Sequence, residues 1–218
     1  MIVINPSFRW LEGCAPDGTA MLENITRAGR ICYQSEKTGD SAEFVRRLIK
    51  RGHESVLEHE TISVVIICDR GVTHELVRHR IASYSQESTR YCNYESERFD
   101  GQIKYIDLKE GAQLCSVTRE LNELTLNLIL YEWVRACADA EDHYKRMIAL
   151  GASPQIARSV LNNSTKTEIA VTMDLREWRH FFKLRCPKNA HPQMRQIANM
   201  LLCAFKEAVP VVFDDLEG

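Results

Sequence analysis

The sequence lacks an excess of positive charge, a glycine-rich phosphate loop, a Cys-x-x-Cys pair and a long apolar run. Its 28 Lys and Arg residues stand against 30 Asp and Glu residues, which gives a net charge of −2. That balance provides no overall basic footprint for nucleic acid, so we expect no nucleic-acid partner. Polar residues interrupt even the apolar stretch at residues 121–133. We therefore expect no membrane-spanning helix and no membrane partner.

The cysteines and the first residues bear on the compartment. The eight cysteines are far apart, and the closest pair, Cys186 and Cys203, is separated by 17 positions. This spacing excludes zinc and redox motifs built on Cys-x-x-Cys. The chain starts without a basic segment followed by an apolar block, so we expect no signal peptide. These features favour reduced thiols over disulfides, and a cytoplasmic location.

Composition and periodicity predict a single domain of the α+β class over residues 1–218. Apolar residues make up 44% and charged residues 27% of the chain, which is ordinary for a globular protein. Helices and strands do not alternate regularly, so we expect a central antiparallel or mixed sheet with long helices. Strands are predicted at residues 2–4, 61–68, 103–106 and 167–173. Helices are predicted at 19–33, at 41–52 with Ser41 as the cap, at 72–80, at 114–150, from the Ser153-Pro154 pair onwards, at 175–184 and at 192–210.

The densest polar segment is residues 78–91, which extends from the end of the helix predicted at 72–80 into a long loop predicted to start at residue 81. It contains three Arg, one His, three Ser, one Thr and two Tyr. Arginine matches phosphate oxygens in pairs, and hydroxyl groups add further donors. No glycine lies between Gly71 and Gly101, so the segment is not a P-loop. We interpret it as a phosphate or other oxyanion site; the alternative is a solvated loop with surface arginines.

Two further polar clusters contain His53 with His59, and Arg185 with His191. The first pair suits metal binding or an acid–base step. However, six positions separate His53 from His59, and no cysteine or third histidine has zinc-finger spacing. A capped helix end is the plainer interpretation, and we expect no metal. Arg185 and His191 bracket a proline-containing turn that opens a helix, whose N-terminus would favour an anion.

Taken in order, these residues resemble the flavin-dependent thymidylate synthase family. Arg78-His79-Arg80, followed after seven residues by Ser88, is similar to the signature of that family. Further matching elements flank the signature in the order found in the family: His53-Glu54, Glu58-His59, Ala157-Arg158, Leu184-Arg185 and His191-x-Gln193.

The resemblance implies a reductive methylation that converts dUMP to dTMP. Such enzymes use FAD, with methylenetetrahydrofolate as the one-carbon donor and NADPH as the reductant. They are homotetramers of mixed α/β chains in which each active site is assembled from several subunits. We therefore expect FAD as the cofactor, dUMP, folate and NADPH as ligands, and a homotetramer.

The resemblance also implies roles for individual residues. The set expected at dUMP, with Ser88 and Arg90 near its phosphate, is Glu75, Leu76, Val77, Arg78, Gln86, Glu87, Ser88, Thr89, Arg90, Arg158 and Arg185. The set expected at FAD is Ser55, Arg78, His79, Arg80, Ile81, Asp174, Leu175, Arg176, His180 and His191. Catalytic roles are expected for Arg185, His53 and Ser88; Arg185 would face uracil, where its permanent charge suits stabilisation of a deprotonated ring.

Some positions depart from the family pattern. Glu75 stands where Gln is common, and its negative charge would repel a phosphate. Ser85, Asp174 and His180 stand where relatives have Asn.

Other interpretations remain open at this point. Ser88 serves either as a phosphate ligand or as a nucleophile, which needs a base within hydrogen-bond reach. Cys92, beside Arg90, is a competing nucleophile if its pKa is lowered. A nucleic-acid-binding module using the Arg-rich loop and a metal hydrolase using the histidines are the alternative classes.

Overall fold

A four-stranded antiparallel sheet forms the centre of the computed structural model, which describes residues 1–34 and 39–218. A separate parallel pair consists of β1 (Ile2–Ile4) and β5 (Lys104–Ile106). The predicted α+β class with a central antiparallel sheet is therefore confirmed. The main sheet has the order β2 (Ser7–Trp10), β3 (Thr61–Asp69), β6 (Lys166–Asp174), β4 (Ser83–Gln86).

Strands β3 and β6 pair along their whole length, from Thr61 opposite Asp174 to Asp69 opposite Lys166. Successive side chains of a strand point to opposite faces of the sheet. On one face the alternate apolar residues of both strands enter the main core. The last residue of each strand, Asp69 or Asp174, also caps the following helix through its carboxylate. The two central strands therefore lead directly into the two helices that carry the site.

Helices cover the apolar face of this sheet. Trp178 lies at the centre of their aromatic core, and its indole N–H donates to the carbonyl of Ile62 at 3.0 Å, which fixes helix to strand. The contributing helices are α1 (Gly18–Tyr33), α2 (Ser41–Lys50), α3 (Arg70–Leu76), α7 (Leu175–Arg185), α8 (Pro192–Ala208) and α9 (Pro210–Phe213), with a 3₁₀ helix at Glu54–His59.

A smaller core lies under the C-terminal half of the long helix α5 (Glu123–Ala149), near α6 (Pro154–Ala157), whereas α4 (Lys109–Leu114) packs on α8. The buried residues of this smaller core include Tyr105, Cys137 and Tyr144. Short 3₁₀ helices at Glu97–Phe99, Thr118–Glu120 and Arg158–Val160 complete the connections. No helix among the described residues is both long enough and apolar enough to cross a membrane.

The N-terminal half of α5 corrects the sequence prediction. The apolar stripe that predicted the helix continues through Leu121, Leu124, Leu128 and Tyr131, and all four side chains are exposed. Helix α5 also begins at Glu123 rather than at residue 114, because residues 109–114 form the separate helix α4. An apolar stripe with helical spacing that faces solvent is typical of a surface that binds another protein.

Three local predictions were wrong. Residues 83–86, expected in a loop, form β4 because they pair with β6, and strand β2 was not predicted. The helix expected at residues 72–80 ends at Leu76 and continues as a turn. The cap of α2 is Asp40, whose carboxylate accepts from the N–H of Ala42, and not Ser41.

Candidate functional site

The arginine signature lies in a turn between α3 and β4. Asp69 accepts from the backbone N–H of Val72 at 2.7 Å and starts α3. The turn is fixed from β4, since the Tyr84 hydroxyl lies 2.8 Å from the carbonyl of Leu76 and 2.7 Å from that of His79. A phenol has a single proton, so its two contacts share that donor. Tyr84, on the first strand after the signature, thus holds both the end of α3 and the signature turn in position.

A buried chain of hydrogen bonds passes through His79, which is 5% exposed. Its Nδ1 lies 3.1 Å from a carboxylate oxygen of Glu177, and its Nε2 accepts from Nε of Arg185 at 3.1 Å. Arg185 also donates to the carboxylate of Glu75 at 2.7 Å and to the backbone carbonyl of Glu75 at 3.3 Å. Three acceptors therefore fix the plane of the Arg185 guanidinium.

The charge state of His79 follows from these surroundings. Burial lowers the pKa of its imidazole, the hydrogen bond to Glu177 opposes that shift, and Arg185 and His180 reinforce it. The ring is therefore neutral near neutral pH. A neutral ring has one N–H, so His79 donates from Nδ1 to Glu177 and accepts at Nε2 from Arg185.

A cleft of about 250 Å³ opens beside this chain, lined by Arg78, His79, Arg80 and Arg185. Arg78 and Arg80 are exposed and make no ion pair within residues 1–34 and 39–218. Two uncompensated guanidinium groups beside a third that is rigidly held form a strong positive field for an anionic or electron-rich ligand.

An adjoining cleft of about 540 Å³ shares Ile81, Glu177 and His180 with the first. Its charged groups are partly paired, with Arg176 2.5 Å from Glu58 and Lys183 3.6 Å from Glu54. The exposed side chain of Ile81 supplies an apolar wall. The cleft is large and polar, and its carboxylates (Glu54, Glu58, Asp174 and Glu177) outnumber its cationic side chains, Arg176 and Lys183.

A third cleft, of about 430 Å³, lies at the start of α3 and is lined by Arg70, His74, Thr89 and Arg158. Arg158 donates to the Thr89 hydroxyl at 3.1 Å. The Nη1 of Arg70 is buried without a hydrogen-bond partner in the part of the chain the structure describes. An orphaned cationic donor beside a second arginine is an arrangement that an oxyanion completes.

The structure brings several predicted residues together and separates others. Glu75, His79 and Arg185 are in contact, Thr89 meets Arg158, and Ile81, Asp174, Arg176 and His180 line one cleft. Arg90 is exposed and lies over the Tyr91 ring at 5.5 Å. His53 and Ser55 are exposed on the 3₁₀ segment beside Glu54. His191 lies 3.9 Å from Glu75, at the edge of the Glu75–Arg185 pair.

Some predicted nucleotide contacts have other partners. The side chains of Leu76 and Leu175 lie in the core, so only their backbone atoms are available to a ligand. Val77 is exposed. Gln86 donates to Thr73 and Thr167, and Glu87 pairs with Lys166 at 2.8 Å.

Neither nucleophile considered from the sequence has the surroundings it needs. Burial and Glu87 raise the pKa of the Cys92 thiol, which corrects the expectation of a thiolate beside Arg90. The hydroxyl of Ser88 accepts from the N–H of Arg90 at 3.3 Å, and in the described residues no histidine or carboxylate bonds to it. Ser88 therefore has the contacts of a turn residue rather than of an activated nucleophile.

Among the described residues, one group of possible metal ligands comes together, and it does not include His53 or His59. The group that comes together is His79, Glu177 and His180, whose ligand atoms lie within 4.8 Å of one another. Both ring nitrogens of His79 are already hydrogen-bonded, one of them to a cationic guanidinium.

The sequence analysis did not identify Glu177 or Arg70 as site residues. Asp174 three residues before Glu177 is a capping pattern, and Arg70 directly follows an apolar strand; those were the available signals.

The fold and these clefts define a mixed α/β protein whose clustered arginines are positioned by a helix–turn–strand unit. The family model described as "Thymidylate synthase complementing protein" matches residues 18–211. The flavin-dependent thymidylate synthase of Mycobacterium avium is 35% identical over 209 residues, which cover 93% of this chain and 81% of that protein. That of Mycobacterium tuberculosis is 36% identical over 226 residues, covering 97% and 84%. The chain therefore belongs to the flavin-dependent thymidylate synthase family.

A solved structure shares the fold. The UMP/dUMP methylase PolB from Streptomyces cacaoi, bound with 5-Br dUMP, superposes with a TM-score of 0.78 at 22% sequence identity. The match covers 98% of this chain and 96% of that chain. The mixed α/β architecture is thus common to both proteins.

Proposed function

We propose that this chain, as one catalytic domain over residues 1–218, converts dUMP to dTMP by flavin-dependent reductive methylation. The observation that carries the proposal is the held guanidinium of Arg185, beside the unpaired Arg78 and Arg80. Uracil becomes nucleophilic at carbon 5 only when negative charge on its ring is stabilised. A permanently charged group in fixed orientation does this without a change in its own protonation.

The phosphate of dUMP would bind at the start of α3. Arg158 and Arg70 provide two guanidinium groups, and the hydroxyls of Thr89 and Ser88 provide further donors. The orphaned Nη1 of Arg70 supports this assignment, because a phosphate oxygen would give it the partner it lacks. Arg90, exposed beside Ser88, would reach the same phosphate.

Helix α3 links this phosphate cleft to the uracil arginine. Arg70 is its first residue, and Glu75, the partner of Arg185, lies one residue before its end. At 1.5 Å per residue the two positions are about 7.5 Å apart along the helix axis, a span suited to a mononucleotide. Gln86 donates to Thr73 of α3, and Val77 follows the last residue of that helix, so both would shape the rest of the pocket.

FAD would occupy the cleft of about 540 Å³, whose donors are Arg176, His180 and Lys183 and whose carboxylates are Glu54, Glu58, Asp174 and Glu177. Arg176, His180 and Lys183 would face its phosphates, with Arg78 and Arg80 at the shared edge, and Ile81 would pack against a ring. Bound FAD supplies the electrons of the reduction, and the protein supplies orientation and electrostatics. His53 and Ser55 would lie at its outer edge. Methylenetetrahydrofolate and NADPH would enter as co-substrates.

The exposed stripe of α5 supports a homotetramer. Leu124, Leu128 and Tyr131 form one face of the helix at spacings of four and three residues, and packing against other copies would remove that face from water. An assembly would also allow one subunit to provide part of the site of another.

Anaerobic turnover of dUMP with methylenetetrahydrofolate and NADPH tests the function. We expect purified protein with a flavin absorbance near 450 nm, and dTMP formation that depends on FAD. A hydrolase activity that a chelator abolishes, with no dTMP formed, would instead favour a metal hydrolase that uses the histidines. Salt-sensitive retention of DNA by a colourless protein would favour the nucleic-acid interpretation.

A further inference from the structure

We propose that Glu177 is a positioning residue that holds Arg185 in its working orientation by selecting the tautomer of His79. The inference rests on the proposed function, in which Arg185 faces the uracil ring. Its basis is the continuous chain Glu177–His79–Arg185, with donor–acceptor distances of 3.1 Å at each link. Glu177 itself contacts neither Arg185 nor Glu75 in this chain of bonds.

The tautomer decides whether Arg185 has its third acceptor. A neutral imidazole carries its proton on either Nδ1 or Nε2. The carboxylate of Glu177 accepts only, so it stabilises the form protonated at Nδ1. That form leaves the lone pair of Nε2 free to accept from Nε of Arg185. The other tautomer would point an N–H at an N–H, and the guanidinium would keep only its two contacts to Glu75.

Protonation of His79 would disrupt the chain in the same way. The imidazolium donates from both nitrogens, and its charge would face that of Arg185. Burial keeps the pKa of His79 below its ordinary value and so confines this state to acidic solution. The charged or titratable groups around His79 come from three elements. Helix α7 contributes Glu177, His180 and Arg185, and α3 contributes Glu75, which pairs with Arg185. Arg78 and Arg80 belong to the same turn as His79. The hydroxyl of Tyr84 on β4 contacts its carbonyl.

The N-terminal cap of α7 places the carboxylate of Glu177 next to Nδ1 of His79. The side chain of Asp174 accepts from the backbone N–H of Glu177 at 2.8 Å and fixes the first turn of α7. Arg185 lies eight residues further along the same helix, about 12 Å along its axis. Phe181, between them, packs its ring 5.2 Å from that of His79. One rigid helix thus carries both ends of the chain, and α3 supplies the turn that bears the imidazole between them.

Two substitutions at one position separate positioning from simple stability. Glu177→Gln keeps an oxygen that accepts from Nδ1 but removes the negative charge, whereas Glu177→Ala removes both. In the FAD-loaded enzyme, we expect Glu177→Ala to lower kcat about 10- to 100-fold, the effect of one hydrogen bond to a charged group. The dUMP dissociation constant should change little, because the phosphate cleft is untouched.

The pH profile gives the readout that a structural role would not move. Loss of the charge of Glu177 makes the imidazolium less favourable and lowers the pKa of His79 further. Glu177→Gln should therefore retain more of the wild-type kcat at neutral pH than Glu177→Ala does, with its acid limb displaced to lower pH. Glu141→Gln is the matched control. Glu141 is also a buried carboxylate, it pairs with the N-terminus and with Lys145, and it belongs to α5 rather than to the helices that surround His79. It should lower thermal stability and leave the acid limb in place.

Nitrogen-15 NMR of histidine-labelled protein tests the tautomer without turnover. The His79 signals, identified by their loss in His79→Gln, should show the Nδ1–H form in the wild-type protein and a mixture in Glu177→Ala. An inactive wild-type protein with the Nδ1–H form would contradict the proposed function and support the positioning role. Equal loss of kcat in both Glu177 variants with an unmoved acid limb, or an unchanged tautomer in Glu177→Ala, would overturn the inference.

Discussion

Arg158 donates a hydrogen bond of 3.1 Å to the hydroxyl of Thr89, across 69 positions of the sequence. The bond joins the 3₁₀ segment after α6 to the loop after β4, and the buried Nη1 of Arg70 lies in the same cleft. Two arginines with donors still available indicate where an oxyanion would be bound most strongly.

The first prediction concerns that cleft. Arg70→Ala and Arg158→Ala should each weaken dUMP binding by about 1.5–3 kcal/mol, the range for hydrogen bonds to charged groups. Deoxyuridine, which lacks the phosphate, should bind both variants and the wild-type protein alike. Titration calorimetry with the two ligands makes the comparison. An equal loss of affinity for both ligands would show a general distortion of the pocket.

Arg90 has a well-matched control nearby. Arg90 lies over the ring of Tyr91 at 5.5 Å, and Arg98 lies over Phe99 at 5.6 Å. Arg90→Ala should weaken dUMP binding by about 1.5–3 kcal/mol, whereas Arg98→Ala, outside the three clefts, should not. Both variants lose a similar stacking contact, so the difference in dUMP dissociation constant isolates the phosphate contact. Unchanged affinity in Arg90→Ala would remove it from the phosphate site.

For Arg185 we expect an effect on chemistry rather than on flavin content. Arg185→Ala should reduce turnover roughly 100- to 1,000-fold, the scale of removing one preorganised donor from a developing charge. The flavin absorbance per chain should stay close to that of the wild-type protein. Arg185→Lys, which keeps the charge but loses the fork to His79 and Glu75, should recover only part of the rate. A parallel loss of flavin and turnover would indicate a structural role.

Much of the architecture could be read from local pattern. The strongly apolar β-branched run at residues 61–68 is β3, and the Ser153-Pro154 pair does begin α6. Strand β4 could not be predicted, because Ser83–Gln86 has little apolar character and is a strand only through its pairing with β6. Its ladder with the centre of the sheet overrides its weak intrinsic preference.

Some residues of the candidate site could likewise be predicted from the sequence, and others could not. Residues within a few positions of the signature, such as Arg78 and Thr89, could be proposed from composition and resemblance. Glu177 and Arg70 could not, because their importance depends on a buried distance to His79 and on an orphaned donor, neither of which is a property of sequence spacing. Glu75 is instructive: its charge argued against a phosphate contact, and in the structure it pairs with Arg185.

The exposed stripe of α5 leads to a prediction about assembly. Leu128 is 57% exposed in the middle of the stripe, and Leu150, 89% exposed, lies beyond the end of the helix. Leu128→Glu should dissociate the assembly, because it places a charge where apolar contact is expected. Leu150→Glu should not. Light scattering should give about four times the chain mass of 25.1 kDa for wild type and Leu150→Glu. A single-chain mass for the wild-type protein would contradict the tetramer.

The C-terminal segment is held by Arg179, which is 2% exposed. Its guanidinium donates to both carboxylate oxygens of Asp215, at 2.6 and 2.7 Å, to the carbonyl of Val212, and to Glu54 at 3.3 Å. Arg179→Ala should lower the free energy of unfolding by about 3 kcal/mol, the effect of breaking a buried pair. Asp215→Asn should cost less, because Asp215 is half exposed.

The hydrogen bond from Arg179 lowers the pKa of Asp215, so the stabilisation it provides has a defined dependence on pH. A carboxylate with a depressed folded-state pKa stabilises the protein above its unfolded-state value and loses that contribution as pH falls through the folded-state value. Since the ordinary value is 3.8, Asp215→Asn should be less stable than the wild-type protein near neutral pH and equal to it in strong acid. Urea unfolding at several pH values measures the difference. A gap between the two proteins that persists below the folded-state pKa would show that the Asn variant is destabilised by packing and not by the lost charge.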